Sequence, residues 1–398
     1  MPFDPDRATS RPVILQVIPD LETGGAERTT IDVAEAIVAA GGTALVASAG
    51  GRLVRDLDNA GARHHLLPLN SKNPWVLWRN IARLRQLIRR YGVELVHARS
   101  RAPAWSTLVA ARREKIPFVT TYHGIYNQNG PLKAAYNSVM ARGDRVIANS
   151  AYTARLITDR HPFARGKIVT IHRGSDLQAL APDAVSDARK SALRDTWRLP
   201  PGRPVLLNLA RLTHWKGQPV VIDAIARLKK AGHTAPIAVL AGSAQGRDAY
   251  LADLERRIAE NGLQDQVRIV GHCDDVPAAL ALANLAIVAS VEPEAFGRAA
   301  VEAQAADVPV IVSDLGAVPE TVLAPPEVLE ADRTGWRVPP GDPEALAAAI
   351  GDALTLDDAA RGALVERARA HVTAKFSVET MTGATVDVYR ALLNPRSP

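Results

Sequence analysis

Residues 285–320 read LAIVASVEPEAFGRAAVEAQAADVPVIVSDLGAVPE, and the alternation inside this stretch decides the fold. An apolar run at 285–290 is followed by a Phe-Gly turn, an Ala-, Glu- and Gln-rich helical segment, and a second apolar run at 308–314. Strand, helix and strand in that order predict a β-α-β unit with parallel strands. A helix beginning near Gly297 turns its first unpaired N–H groups toward whatever lies beyond the preceding strand, and such a terminus receives an anion. Glu294 then stands at the mouth and Glu302 a turn or so inside, both able to accept hydrogen bonds from hydroxyls. Carboxylates flanking a phosphate-sized space describe a nucleotide sugar; a surface helix carrying two solvated acids is the plainer alternative.

The same alternation runs along the chain. PVILQVI, TALVASA, ARHHLLPL, VELVHA, FVTTYHG, RVIANS and KIVTIHRG form one series of predicted strands, and PVLLNLA, IAVLAGS, QVRIVGH, LAIVAS and VPVIVSD a second. Residues 176–204, punctuated by proline, read as the connection between them. At 398 residues the chain exceeds what one core organises, so two Rossmann-like halves are expected: residues 1–180, residues 181–375, and a final helix within 376–398 that returns to the first half. Open sheets of this kind bind ligands beyond the carboxyl ends of their strands, so the expectation is an α/β protein with a ligand in a cleft between the halves.

Composition narrows the function classes. The single cysteine, Cys273, excludes an intramolecular disulfide framework and a Cys-rich metal site. The polar start MPFDPDRATSRP and the lack of an apolar run near ~18 residues lead to the expectation of a cytoplasmic protein without a membrane anchor. Residues 1–180 hold 25 Lys and Arg against 14 acids, whereas the remainder holds 23 against 28, so the halves face different partners. The excess concentrates in region 72–115, with 11 basic residues and only Glu94 and Glu114 opposing them. Such a field suits an anionic membrane surface. Within it Trp75, Trp78, Ile81, Leu84 and Ile88 recur at helical intervals, a pattern that fits either a core-facing helix with a basic outer face or a helix lying at a headgroup surface. Nucleic acid is not an expected partner, because no recognisable binding motif or interleaving of aromatics is present.

The segment from EPEAFGRAAVEAQAADVPVIVSD to LGAVPE resembles the donor signature of the retaining family 4 glycosyltransferases, and the resemblance extends over nearly the whole chain. It implies the GT-B fold, two Rossmann-like domains with parallel sheets facing across a cleft. It further implies that Glu294 meets the donor sugar, that the backbone amides of Phe296 and Gly297 meet sugar and phosphate, and that Glu302 holds the ribose. GGAE after the first strand resembles the family's N-terminal loop, which places Gly25 near the donor diphosphate and Glu27 near the acceptor. A flexible turn at Gly24-Gly25 and a helix-dipole role for Glu27 are the ordinary readings.

TTYHG resembles the family's histidine strand and assigns His123 to the donor sugar. A neutral imidazole there can donate to a sugar hydroxyl. LNLARLTHWKG carries Arg211 and Lys216 where the family's cation pair stands, able to neutralise a departing diphosphate without a bound metal. Gly271 and His272 follow the strand that in the family supplies backbone contacts to the base, and Glu320 is assigned either to a helix cap or to the ribose. Ser150 reads as an N-cap, and Asp274 and Asp275 as a helix start rather than a metal site.

The function implied is retaining transfer of a hexose from a nucleoside-diphosphate sugar, UDP or GDP, to a glycolipid or glycan acceptor in lipopolysaccharide core or other envelope biosynthesis, with no further cofactor. A small soluble sugar acceptor, or binding without catalysis, are the alternatives. The missing G-x-G-x-x-G fingerprint counts against a dinucleotide oxidoreductase.

Overall fold

The computed structural model describes residues 3, 11–22, 24–232 and 236–394. It divides into two compact units, Met1–Gly174 with Val378–Pro398, and Ser175–Ser377.

In the first unit, the strands among the described residues are β1 (Val13–Val17), β2 (Thr43–Ser48), β3 (Arg63–Leu66), β4 (Leu95–Ala98), β5 (Phe118–Tyr122), β6 (Arg145–Ala148) and β7 (Ile168–Thr170). They form one sheet in the order β3-β2-β1-β4-β5-β6-β7, every pair parallel. Strands buried on both faces need mostly apolar or β-branched runs, and VILQV and FVTTY supply them, with the buried polar atoms bonded as Gln16 Nε2 is to the Thr30 carbonyl and Thr120 Oγ1 to the Met140 carbonyl. The connecting helices start where the sequence offers a cap. Asn73 accepts from the Trp75 amide ahead of Pro74–Tyr91, and Ser150, as anticipated, accepts from the Thr153 amide at 3.0 Å ahead of Ala151–Arg160.

The last helix, Val378–Leu393, belongs to this unit and packs on the helix Gly25–Ala39. Its anchor is Tyr389, fully buried, whose hydroxyl is hydrogen-bonded to His97 Nδ1 at 2.6 Å in the middle of β4. The other ring nitrogen of His97 meets Thr121 Oγ1 of β5 at 2.7 Å. Both imidazole nitrogens are thereby satisfied in a dry environment, the condition for burying a polar ring.

The second unit repeats the plan with β8 (Val205–Leu209), β9 (Ile237–Ala241), β10 (Val267–Gly271), β11 (Leu285–Val288), β12 (Val310–Ser313) and β13 (Trp336–Val338), in the order β10-β9-β8-β11-β12-β13. This is the doubly wound arrangement in which the winding reverses between β8 and β11. The structure thus holds two parallel Rossmann-like sheets, as the alternating pattern led one to expect. Two details differ. β13 is absent from the predicted strands, because three residues between Gly335 and a Pro-Pro pair carry no readable period. The supposed connection at 176–204 contains the helix Asp187–Thr196 and is part of the second unit, since Leu180, Trp197 and Leu199 bury themselves in its core.

The helical stripe in Pro74–Tyr91 also divides. Leu84 and Ile88 are buried, whereas Trp75 and Trp78 are 64% and 62% exposed and stack on each other at 5.2 Å. The basic field around them is partly compensated, with Arg85 and Arg89 both pairing with Glu114 at 2.6 and 2.8 Å.

Replacing Tyr389 by Phe leaves His97 Nδ1 buried without its partner, and such a group costs about 1–3 kcal/mol. Urea denaturation followed by tryptophan fluorescence is expected to show the midpoint of the variant lowered by a corresponding amount with the slope unchanged.

Candidate functional site

In the second unit the winding reverses between β8 and β11, and the loops leaving those two strands carry Arg211–Gly217 and Ala289–Gly297. They are locked together. Gly217 adopts φ +68, and a Cβ built on it would fall 1.8 Å from the Ala289 carbonyl oxygen, so only glycine lets the first loop lie on the end of β11. The Val291 amide donates to the Trp215 carbonyl at 2.9 Å across the same junction. On this frame Lys216 Nζ reaches Glu294 Oε1 at 2.7 Å, with both side chains largely shielded. Ser290 Oγ donates to the same carboxylate oxygen. Lys216 also stands 4.3 Å above the Trp215 ring, and the Arg211 guanidinium lies 6.0 Å from that ring's centre. The indole therefore gathers both cations, an organising role for Trp215 that the sequence reading missed and that HWKG alone could have suggested through cation–π pairing.

Glu294 is held from behind as well: its carbonyl accepts from the Ala317 amide at 2.9 Å, which pins the segment to LGAVPE. The helix begins where expected, at Arg298–Ala305, with Gly297 as N-cap and no side chain closing its first amides. Glu302 is buried on the first turns of that helix and bonds to Arg298 Nε at 2.6 Å. Arg298 was not among the anticipated site residues; an i,i+4 acid–base pair on a helix was the available signal. The Phe296 side chain packs into the core against Phe376, 5.5 Å between ring centres, so its main chain alone is available to a ligand.

The remaining anticipated residues of this unit are spread wider. Gly271 ends β10, the far edge strand, two strands away from the reversal, and its carbonyl accepts from the Gly242 amide. His272 beyond it is exposed and sits 3.2 Å from Asp274. Asp275 caps the helix Val276–Leu282 through the Ala278 amide and forks onto Arg189, which agrees with a helix start. Glu320 is the last residue of a short turn, Val318–Glu320, whose N-cap is Ala317, so it is not a helix cap. Among the described residues no group of three His, Cys, Asp or Glu side chains could hold a metal ion.

In the first unit the winding reverses between β1 and β4, and Gly24, Gly25, Arg99 and His123 follow β1, β4 and β5. The freedom expected of the Gly-Gly pair is not used: neither residue has positive φ. What the absent side chain leaves room for is the Arg173 guanidinium, whose Nη2 lies 1.5 Å from where a Cβ on Gly25 would fall. Glu27 lies in the first helical turn with its carboxylate folded back against Gly24. Arg99 and Arg173, both missed in the sequence, surround His123 electrostatically. Burial, then the charges of Arg99 and Arg173, hold the His123 imidazole well below its ordinary pKa, and its Nε2 is buried without a hydrogen-bond partner among the described residues. Burial, then Arg99 and His123, do the same to His97.

The chain matches known families over most of its length. Residues 23–179 match Glycosyltransferase Family 4, and residues 189–371 match Glycosyl transferases group 1. A solved glycosyltransferase from Rickettsia africae is 32% identical, superposes with a TM-score of 0.87, and is matched over 98% of this chain and 100% of its own. D-inositol 3-phosphate glycosyltransferase from Streptomyces avermitilis is 30% identical over 263 residues, 64% of this chain and about half (53%) of that relative's length. An Anabaena protein crystallised with UDP and glucose shares the fold at 23% identity and a TM-score of 0.78, over 96% of this chain and 100% of its own. The protein is an enzyme of the glycosyltransferase class with the GT-B fold, and within that class the chain belongs to the family 4 glycosyltransferases.

Gly217→Ala is expected to cost about 3 kcal/mol or more, since it adds left-handed strain to a backbone clash; a thermal melt of the purified variant checks it. The neutral histidines set a pH dependence. Their folded pKa lies below the unfolded value of about 6.5, so below that pH the unfolded chain takes up protons that the folded chain refuses. Stability therefore falls as pH drops from 7 toward 5, and the fall is expected to be shallower in His123→Asn, measured by denaturant titration at each pH.

Proposed function

We propose that the protein transfers a hexose, mannose, glucose or a related sugar, from a UDP or GDP sugar to a glycolipid or glycan acceptor of the cell envelope, lipopolysaccharide core included, with retention of anomeric configuration and without a metal. The observation that carries this reading is the shielded Lys216–Glu294 pair beside the uncapped helix start at Gly297. An arriving diphosphate takes over the ammonium, which frees a Glu294 oxygen for a sugar hydroxyl. Arg211 adds a second cation over the same indole. The open amides at Arg298 and beyond suit the phosphate, and the buried Glu302 carboxylate suits the ribose hydroxyls. His123, held neutral, is assigned to the donor sugar, and Gly25 to the diphosphate, on the resemblance to the family.

In the transfer step the acceptor oxygen bonds to the anomeric carbon on the face from which the diphosphate leaves. The anomeric C–O bond breaks with its electron pair on the departing phosphate oxygen, and the acceptor's hydroxyl proton passes to that oxygen. The protein contributes alignment and stabilisation of the building charge. The exposed Trp75–Trp78 stack on a basic helix fits association with the inner face of the cytoplasmic membrane; no helix of the described residues is long and apolar enough to cross a membrane. A small soluble acceptor is the second reading, favoured by the inositol phosphate named for the Streptomyces relative.

Thermal shifts across UDP, GDP, ADP and dTDP test the donor: a nucleotide at a hundred times its Kd stabilises the folded enzyme by about 2.7 kcal/mol. One of UDP and GDP is expected to dominate, and an equal null response from all four overturns the reading. Lys216→Ala is expected to lower kcat by about a hundredfold or more, the order seen for loss of one charge-stabilising group, in radiolabelled transfer assays with lipid and soluble acceptors run side by side.

A further inference from the structure

A cavity of about 530 Å³ opens on the first unit at the amino ends of β5, β6 and β7, the edge opposite to Gly25 and His123. Arg112 and Arg113 enter it from the carboxyl end of the helix Arg101–Glu114, Arg142 from the turn before β6, and Lys167 from the residue before β7, with Phe163 forming an apolar wall. One carboxylate stands beside these four cations. Asp144 accepts a fork from Arg112 at 2.8 and 2.8 Å and the Phe118 amide at 2.8 Å. Burial pushes its carboxyl up, but these bonds and the charges of Arg112 and Lys167 outweigh it and hold it below the usual range.

Arg112 is spent on Asp144, whereas Arg113, Arg142 and Lys167 form no ion pair among the described residues. Arg142 is steadied by Ser138, to which its Nε donates at 3.2 Å, and by the Trp105 and Phe163 rings at 5.6 and 5.3 Å. Among the described residues its terminal nitrogens, Arg113 and Lys167 have no hydrogen-bond partner. Three cations without a matching acid in one concavity favour a multivalent oxyanion, and planar guanidinium forks favour phosphate over a single carboxylate. The volume falls within the range of small-molecule sites, and the half-exposed Phe163 ring offers an apolar surface for an organic group attached to the phosphate.

We infer that this cavity is a second binding site, separate from the proposed donor site, for a phosphate ester or pyrophosphate group attached to a small organic body. Its chemistry is shared by free phosphorylated metabolites and by phosphate-rich lipid headgroups. Isothermal titration of inorganic pyrophosphate at 0.15 M salt, into wild type, Lys216→Ala and the double variant Arg113→Gln/Lys167→Gln, tests it. Binding is expected to persist in Lys216→Ala, to weaken at least tenfold when Arg113→Gln/Lys167→Gln is added to that background, and to leave the UDP or GDP thermal shift of the Arg113→Gln/Lys167→Gln protein unaltered. Sedimentation with phosphatidylcholine vesicles, with and without phosphatidic acid, separates the sources. Pyrophosphate binding in solution supports a free ligand, and phosphatidic-acid-dependent pelleting lost in Arg113→Gln/Lys167→Gln but kept in Trp75→Ala/Trp78→Ala supports a headgroup. Pyrophosphate affinity and pelleting that are both insensitive to Arg113→Gln/Lys167→Gln overturn the proposal, whatever becomes of the donor reading.

Discussion

The contact between Gly217 and the Ala289 carbonyl oxygen is the constraint on which the second unit's site depends. It brings two loops, separated by more than seventy residues of chain, within hydrogen-bonding distance at the ends of β8 and β11. Once they meet, an ammonium and a carboxylate can pair at 2.7 Å in a shielded place without either being stranded. A buried or half-buried charge is tolerated only with such a partner. The pair is therefore a product of loop docking, and the docking follows from one position that admits no Cβ.

The first unit uses a different device. Its sheet carries His97 within β4 and Arg99 just past that strand's end, both buried, with Tyr389 from the last helix tied to the histidine. Burial above all, and the charge of Arg99 after it, keep the imidazoles of His97 and His123 neutral. Neutral His123 can donate and accept at once, which a protonated ring cannot. The helix that closes the chain thus completes a polar interior as well as covering apolar surface.

Much of the architecture was legible because both sheets are parallel and buried, so their strands appear as short β-branched runs separated by helical lengths. The acids around Phe296-Gly297 were legible because a strand end, a turn and a helix start are all local. Arg99, Arg173, Trp215 and Arg298 were not. Arg99 and Arg298 look like ordinary surface cations in sequence, and only burial or pairing sets them apart. The tryptophans of Pro74–Tyr91 show the same limit: their three-residue spacing reads as one apolar stripe, yet each such step drifts about 60° around a helix of about 3.6 residues per turn, so Leu84 and Ile88 face inward and the Trp pair faces out.

The chain by itself determined the number and type of units, the helix starts at Gly25, Ala151, Val276 and Arg298, and the acid–glycine–acid spacing at 294–302, since each is set by neighbours within a few residues. Tertiary structure alone decided which charges are compensated and which are presented. Glu294 meets Lys216, Glu114 takes up two arginines, and Arg113 and Lys167 make no hydrogen bond among the described residues. Pairing of charges falls off steeply with distance and depends on local burial, and both are fixed only when remote segments are packed together.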